Sequence, residues 1–123
     1  MTIQQYLKLH SKIVDLNVIM GDTRLRMTKQ LKRIVCTDGF SMSVQVGENL
    51  YCTPRINLKD ASKYKAVEIG FPNRKELLLL DWAEDPLSPT DTVYGYVPVS
   101  VVNEVIKKHG GFKVKRSLRK IIL

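Results

Sequence analysis

The chain is predicted to be an α+β domain: an N-terminal antiparallel helix pair, then an antiparallel β-sheet core with short helices. Three observations predict it. Apolar residues recur at spacings of three and four through the first twenty positions, the rhythm of an amphipathic helix. Residues 40–46 and 92–97 instead alternate apolar and polar, the rhythm of a half-buried strand. Glycine and proline punctuate these runs at short intervals, with no linker between them. A chain of 123 residues with 44% hydrophobic content then reads as one domain over 1–123, a helical hairpin at 1–32 and a β-rich core at 33–123.

The first helix is expected over 3–20, with Ile3, Tyr6, Leu7, Leu9, Ile13, Val14, Leu16 and Ile19 as its apolar positions and Thr2 as its cap. Gly21-Asp22 stops it, and a second helix is expected from Thr23 to about Lys32, with Leu25, Met27 and Leu31 on its apolar side. So short a connection makes the two antiparallel neighbours.

Arg33–Cys36 reads as a strand and Thr37-Asp38-Gly39 as a hairpin turn. Phe40, Met42, Val44 and Val46 face one side of the next strand; Ser41, Ser43 and Gln45 face the other. Gly47-Glu48-Asn49 turns the chain into a strand at Leu50–Thr53, and residues 57–65 are polar and read as a loop. Ala66–Phe71 returns as a strand that Pro72 ends. Asn73 stands three residues before Glu76, the spacing of a capping box, ahead of a short helix to Ala83, with a strand as the other reading. After a loop at 86–89, Thr92–Val97 is a strand whose Tyr94 and Tyr96 share a face. Pro98 starts a helix holding Val99, Val102, Val105 and Ile106, which Gly110-Gly111 ends. Phe112–Lys115 alternates as an edge strand whose lysines discourage edge-to-edge pairing.

No run of about 18 apolar residues occurs, and the N-terminus lacks a basic start and a small-residue cleavage site, so a cytoplasmic protein without a membrane partner is expected. Catalytic signatures are missing: there is no G-x-S-x-G, P-loop lysine motif, dinucleotide glycine fingerprint or H-E-x-x-H. His10 and His109 have no nucleophile near them in sequence, and a structural role is expected of both. Cys36 and Cys52 stand singly and read as reduced, buried hydrophobes. No catalytic residue, metal ligand or cofactor is therefore assigned, and the chain is not expected to be an enzyme.

The formal net charge of +8 favours polyanionic partners. Arg55, behind Pro54, offers a planar fork that matches phosphate or stacks on a base, or else forms a surface ion pair with Asp60 or Glu68. Phe71, between Gly70 and Pro72, either stacks on a ligand ring or fills the core. Asn73 and Arg74 stand at an expected helix start, where free N–H groups attract anions. Tyr94, beside Gly95, is a further aromatic candidate, and Arg24 and Arg26 are candidate phosphate contacts. The basic residues of 107–120 would hold nucleic acid only non-specifically, as a secondary partner.

The blocks at 38–45, 51–55, 67–72 and 92–98, with the His109-Gly110-Gly111 end, resemble small proteins encoded by phages and prophages. Among them the sequence is similar to the first Thoeris anti-defence family. That resemblance implies a phage protein, acting in the infected host cytoplasm, that sequesters a cyclic ADP-ribose-type immune signal without cleaving it. It also implies a homo-oligomer, a dimer or larger, with Arg55 and Phe71 beside the ligand's base and further arginines on its phosphates. Two other expectations stand beside it: an inhibitor of a host nucleoprotein defence complex, and a weak nucleic-acid-binding accessory protein.

Overall fold

The computed structural model describes residues 1–11, 13–15, 26–28 and 30–114. Helix α1 (Ile3–His10) begins in a capping box, with Thr2 Oγ1 accepting the Gln5 amide at 3.2 Å and Gln5 Oε1 accepting the Thr2 amide at 2.8 Å. Ile3 and Leu7, one turn apart, are fully buried.

The mixed α+β class stands, but the helix pair does not. Helix α1 stops at His10, and Ser11 turns extended. Strands β1 (Ile13–Asp15) and β2 (Arg26–Thr28) then pair antiparallel, with Val14 opposite Met27. Ile13, Val14 and Thr28 are β-branched; their stiff χ1 lowers helix propensity and suits a pleated surface. Residues 30–32 of the expected second helix are not helical, while 23–25, including Arg24, and 29 lie outside the described residues, as does 16–20.

Strands β3 (Ile34–Val35), β4 (Ser41–Gln45), β5 (Ala66–Gly70) and β6 (Val93–Pro98) form an antiparallel meander in that order. The β3–β4 turn closes as the residue types require. Gly39 adopts φ +91°, and Asp38 Oδ1 accepts the Phe40 amide at 2.9 Å. Phe40, Met42 and Val44 are fully buried and Val46 nearly so, while Ser41, Ser43 and Gln45 are half-exposed on the other face. Val67, Ile69, Tyr94 and Val97 extend the buried face, and helix α2 (Val99–Lys108) covers it with Val102, Val105 and Ile106. Asn103 ties the two helices, its Oδ1 accepting the Ile3 amide at 2.8 Å.

Residues 50–53 form an irregular turn rather than a strand, meeting β5 through the Thr53–Ala66 bridge and the Tyr51–Glu68 hydrogen bond. Leu77–Trp82 is 3₁₀-helical, and Glu76 caps it by accepting the Leu78 amide at 2.9 Å. Phe112 bridges Cys36, so the end of the described chain does lie along the sheet edge.

Asn73 is not a helix cap. Its side chain acts as an added strand unit on the β3–β4 hairpin: Oδ1 accepts the Ser41 amide and Nδ2 donates to Gly39 O, each at 2.9 Å. Asn73→Ala is expected to remove both bonds and destabilise the chain by about 1–2 kcal/mol, read from its urea midpoint. A change below about 0.5 kcal/mol would show that water replaces them.

Candidate functional site

The face of the sheet turned away from the helices holds a cleft bounded by described residues. Pairing places Ser43 beside Gly70, Gln45 beside Glu68, and Val93 beside Gly70 on the other side. These five form its floor. Glu48, Asn49, Leu50 and Asn57 make a wall, and Gln30 and Phe71 stand at the rim, enclosing about 340 Å³. That volume lies at the small end of ligand sites, roughly 300–1,000 Å³, and suits one nucleoside-sized unit.

Hydrogen bonds hold the floor in place. Gln45 Oε1 accepts the Leu31 amide at 2.9 Å, and its Nε2 donates to Leu31 O and to Ser43 Oγ. Glu68 Oε1 accepts the Tyr51 amide at 3.2 Å. Among the described residues, neither lysine nor arginine lines the cleft.

Phe71 at this cleft and Tyr96, which packs against Tyr51, adopt backbone conformations that L-residues avoid. Phe71 has φ +48° and Tyr96 φ +56°, both about half exposed. Left-handed geometry costs a bulky residue about 1–3 kcal/mol and persists only where its surroundings enforce it. Around Phe71 they do. Its amide donates to Thr92 O at 3.0 Å, and its carbonyl accepts from Arg33 Nη2 at 2.7 Å. At Tyr96 the cause is a β-bulge: Val67 pairs with Val97 and Ile69 with Tyr94, leaving Gly95 and Tyr96 together opposite Glu68. The bulge turns Tyr94 into the core and Tyr96 out, so the two tyrosines do not share a face. Tyr94 is fully buried, and its hydroxyl bonds Pro89 O at 2.5 Å.

The Tyr51 and Tyr96 rings stand 5.8 Å apart, and the Arg55 guanidinium lies 5.0 Å from the Tyr51 centroid. A Cβ on Gly95 would sit 3.2 Å from Tyr51 Cβ, so glycine there permits the close approach. Among the described residues no carboxylate forms an ion pair with Arg55.

No protein-family model, curated protein or solved structure matches this chain.

The expected site residues therefore divide into four groups. Phe71 lines the cleft, and Arg55 lies beside it, linked through Tyr51 and Glu68. Tyr94 belongs to the core. Asn73 and Arg74 turn instead to the β3–β4 hairpin, where Arg74 pairs with Asp38 at 3.2 Å. Arg26 sits in β2 opposite Asp15, and Arg24 lies outside the described residues.

A second cluster was not legible in the sequence. The His109 ring lies between two carboxylates, with Nδ1 2.6 Å from Asp38 and Nε2 2.6 Å from Glu76. Both ring nitrogens thus have a carboxyl oxygen as their polar partner. Phe40 stacks on the ring at 4.1 Å, and Lys108 reaches the other Glu76 oxygen at 2.9 Å. The bond from His109 and the Phe40 amide hold the Asp38 carboxyl below its usual range. Burial pushes Glu76 up, but the Leu78 amide, Lys108 and His109 together outweigh it and bring the carboxyl below its ordinary value. The cluster fastens the end of α2 to the hairpin and to the 3₁₀ segment.

Both cysteines are buried thiols. Burial is the main reason the Cys36 thiol is pushed up to about 11 and Cys52 is raised as well. Such thiols stay protonated near neutral pH and are poor nucleophiles. Among the described residues no helix is long and apolar enough to cross a membrane, and no group of His, Cys, Asp and Glu is arranged to hold a metal ion.

Proposed function

We propose that this chain is a binding protein that sequesters a nucleotide-type signal, seating a ring in the cleft beside Phe71 and a phosphate at Arg55. The observation that carries the reading is the pair of exposed aromatics held at positive φ, Phe71 at the cleft and Tyr96 against Tyr51, whose amide bonds Glu68 of the cleft. An exposed ring gains little from burial, so strain maintained at both positions points to use rather than to packing. Arg55 supports it as a guanidinium on an aromatic face with no carboxylate partner among the described residues. Within this reading the ligand is a cyclic nucleotide immune signal of the cyclic ADP-ribose type, held by a phage protein and not cleaved. A cleft of about 340 Å³ covers only part of such a molecule, so the reading includes a second copy of the chain closing over the rest.

Calorimetric titration with cyclic ADP-ribose isomers and cyclic oligonucleotides tests it, with light scattering for the oligomer. The expected result is tight binding to at least one, with the ligand recovered chemically unchanged after heat denaturation. Arg55→Ala should weaken that binding by roughly 10- to 150-fold, as for a charge-assisted hydrogen bond worth about 1.5–3 kcal/mol. A folded sample that gives no heat with any of them ends the proposal.

A further inference from the structure

The floor of the cleft carries a hydrogen-bonding pattern that discriminates among rings. Gln45 spends both amide protons on Leu31 O and Ser43 Oγ and accepts the Leu31 amide, so it has no donor left for a ligand. Ser43 Oγ accepts from Gln45, which leaves its own O–H to donate. Glu68 gives one oxygen to the Tyr51 amide and keeps the rest of its acceptor capacity, and it is the only ionisable group on the floor. Ser43 lies beside Gly70 in the register, two positions along β5 from Glu68. Glycine at 70 leaves the space between them open. Along the floor the cleft therefore presents one donor and then a carboxylate.

Resting on the proposed binding role, and narrowing its ligand from the adenine-bearing cyclic ADP-ribose type to a guanine-bearing cyclic nucleotide, we infer that the cleft selects guanine, with Glu68 accepting from its N1–H and N2 amino group and Ser43 donating to its O6. The other bases fail at the carboxylate. Adenine and cytosine place a ring-nitrogen lone pair against it, and uracil flanks its single N–H with two carbonyl oxygens. Only guanine offers two adjacent N–H donors to a carboxylate that accepts bidentately. Among the described residues the lining holds no lysine or arginine, which fits a neutral ring here, with any phosphate outside, toward Arg55.

Calorimetric titration of the full chain with GMP, IMP, AMP and arginine methyl ester tests the assignment. GMP should bind tightest and IMP, which lacks the N2 amino group, more weakly. AMP should be weaker than GMP by about 5- to 150-fold, the range for one bidentate base contact. In Glu68→Gln the amide oxygen keeps the Tyr51 bond and the NH₂ group turns to the ligand, so the preference should shift from GMP toward AMP. Gly70→Ala should weaken GMP and AMP alike without loss of stability. Its φ is not positive, and the new methyl meets Ser43 Cβ at an ordinary 3.6 Å.

Equal binding of GMP and AMP, both weakened by Gly70→Ala, would overturn the guanine assignment and leave the binding role standing. Glu68-dependent binding of arginine methyl ester in place of GMP would also overturn the assignment. No binding of any probe, together with silence toward the cyclic nucleotides, would remove both.

Discussion

Replacing His109 by alanine is expected to destabilise the chain by about 3–5 kcal/mol, the cost of removing one partner from a buried ionic cluster. The reason is what remains behind. Glu76 is 1% exposed, and one of its oxygens would lose its 2.6 Å donor while still buried. Lys108 occupies the other oxygen and is itself half exposed, so it does not replace the ring. The Phe40 ring would also lose its stacked neighbour. Urea unfolding at neutral pH reads the loss. A change below about 1 kcal/mol would mean that water enters and satisfies Glu76. A compensating pair separates charge from packing: His109→Phe with Glu76→Leu keeps a ring on Phe40 and removes the buried carboxylate. It should recover most of the stability, because a well-packed apolar replacement of a buried ion pair is often neutral or better.

The same cluster makes the fold acid-sensitive, with a definite sign. Asp38 and Glu76 both titrate below their ordinary values in the folded chain. Depressed carboxyls stabilise the fold above the unfolded range, about pH 4, and that contribution disappears as pH falls through the folded values. Their contribution to the urea midpoint should therefore fall from about pH 5 toward pH 2. In the His109→Phe, Glu76→Leu pair the slope should be shallower. Equal slopes would place the acid sensitivity elsewhere in the molecule.

These partners were out of reach of sequence reasoning for a physical reason. Asp38 and Glu76 stand 71 and 33 positions from His109, and nothing local marks them as neighbours. Asn73 shows the same limit. Its spacing to Glu76 is that of a cap, but its side chain is used 32 positions away on Ser41. Local rhythm, by contrast, was readable wherever one face is buried over several residues: Phe40, Met42, Val44 and Val46 alternate in sequence and are all in the core. The rhythm misled in two places. A bulge inserts one residue without changing composition, so Tyr94 and Tyr96 look alike while one is buried and the other exposed. The Ile13-Val14 pair also fits a helix stripe as well as a strand, and only its antiparallel partner at Met27-Thr28 decides. At the candidate site the residue types of Arg55 and Phe71 were visible. The Glu68–Ser43 floor was not, because cross-strand register brings it together.

Phe71→Gly is expected to weaken ring binding by about 5- to 150-fold while leaving the fold as stable as before, or up to about 1 kcal/mol more stable. The two effects have separate origins. Glycine adopts φ +48° without the left-handed penalty, roughly 1–2 kcal/mol for an L-residue, although its looser unfolded chain offsets part of that gain. The ring that is lost is 48% exposed, so little buried area goes with it. If a base stacks there, its removal weakens binding by about 1–3 kcal/mol, or 5- to 150-fold, in the calorimetric titration. Phe40→Ala is the matched comparison. The same side chain, fully buried, should cost about 3–5 kcal/mol on truncation. Phe71→Ala completes the set, because it removes the ring and keeps the strain; it should be less stable than Phe71→Gly by about 1 kcal/mol. A protein that selects for packing alone would fill position 71 with glycine or asparagine. If Phe71→Gly instead loses stability on the scale of Phe40→Ala, the ring is structural, and the cleft loses the residue on which its assignment as a binding site depends.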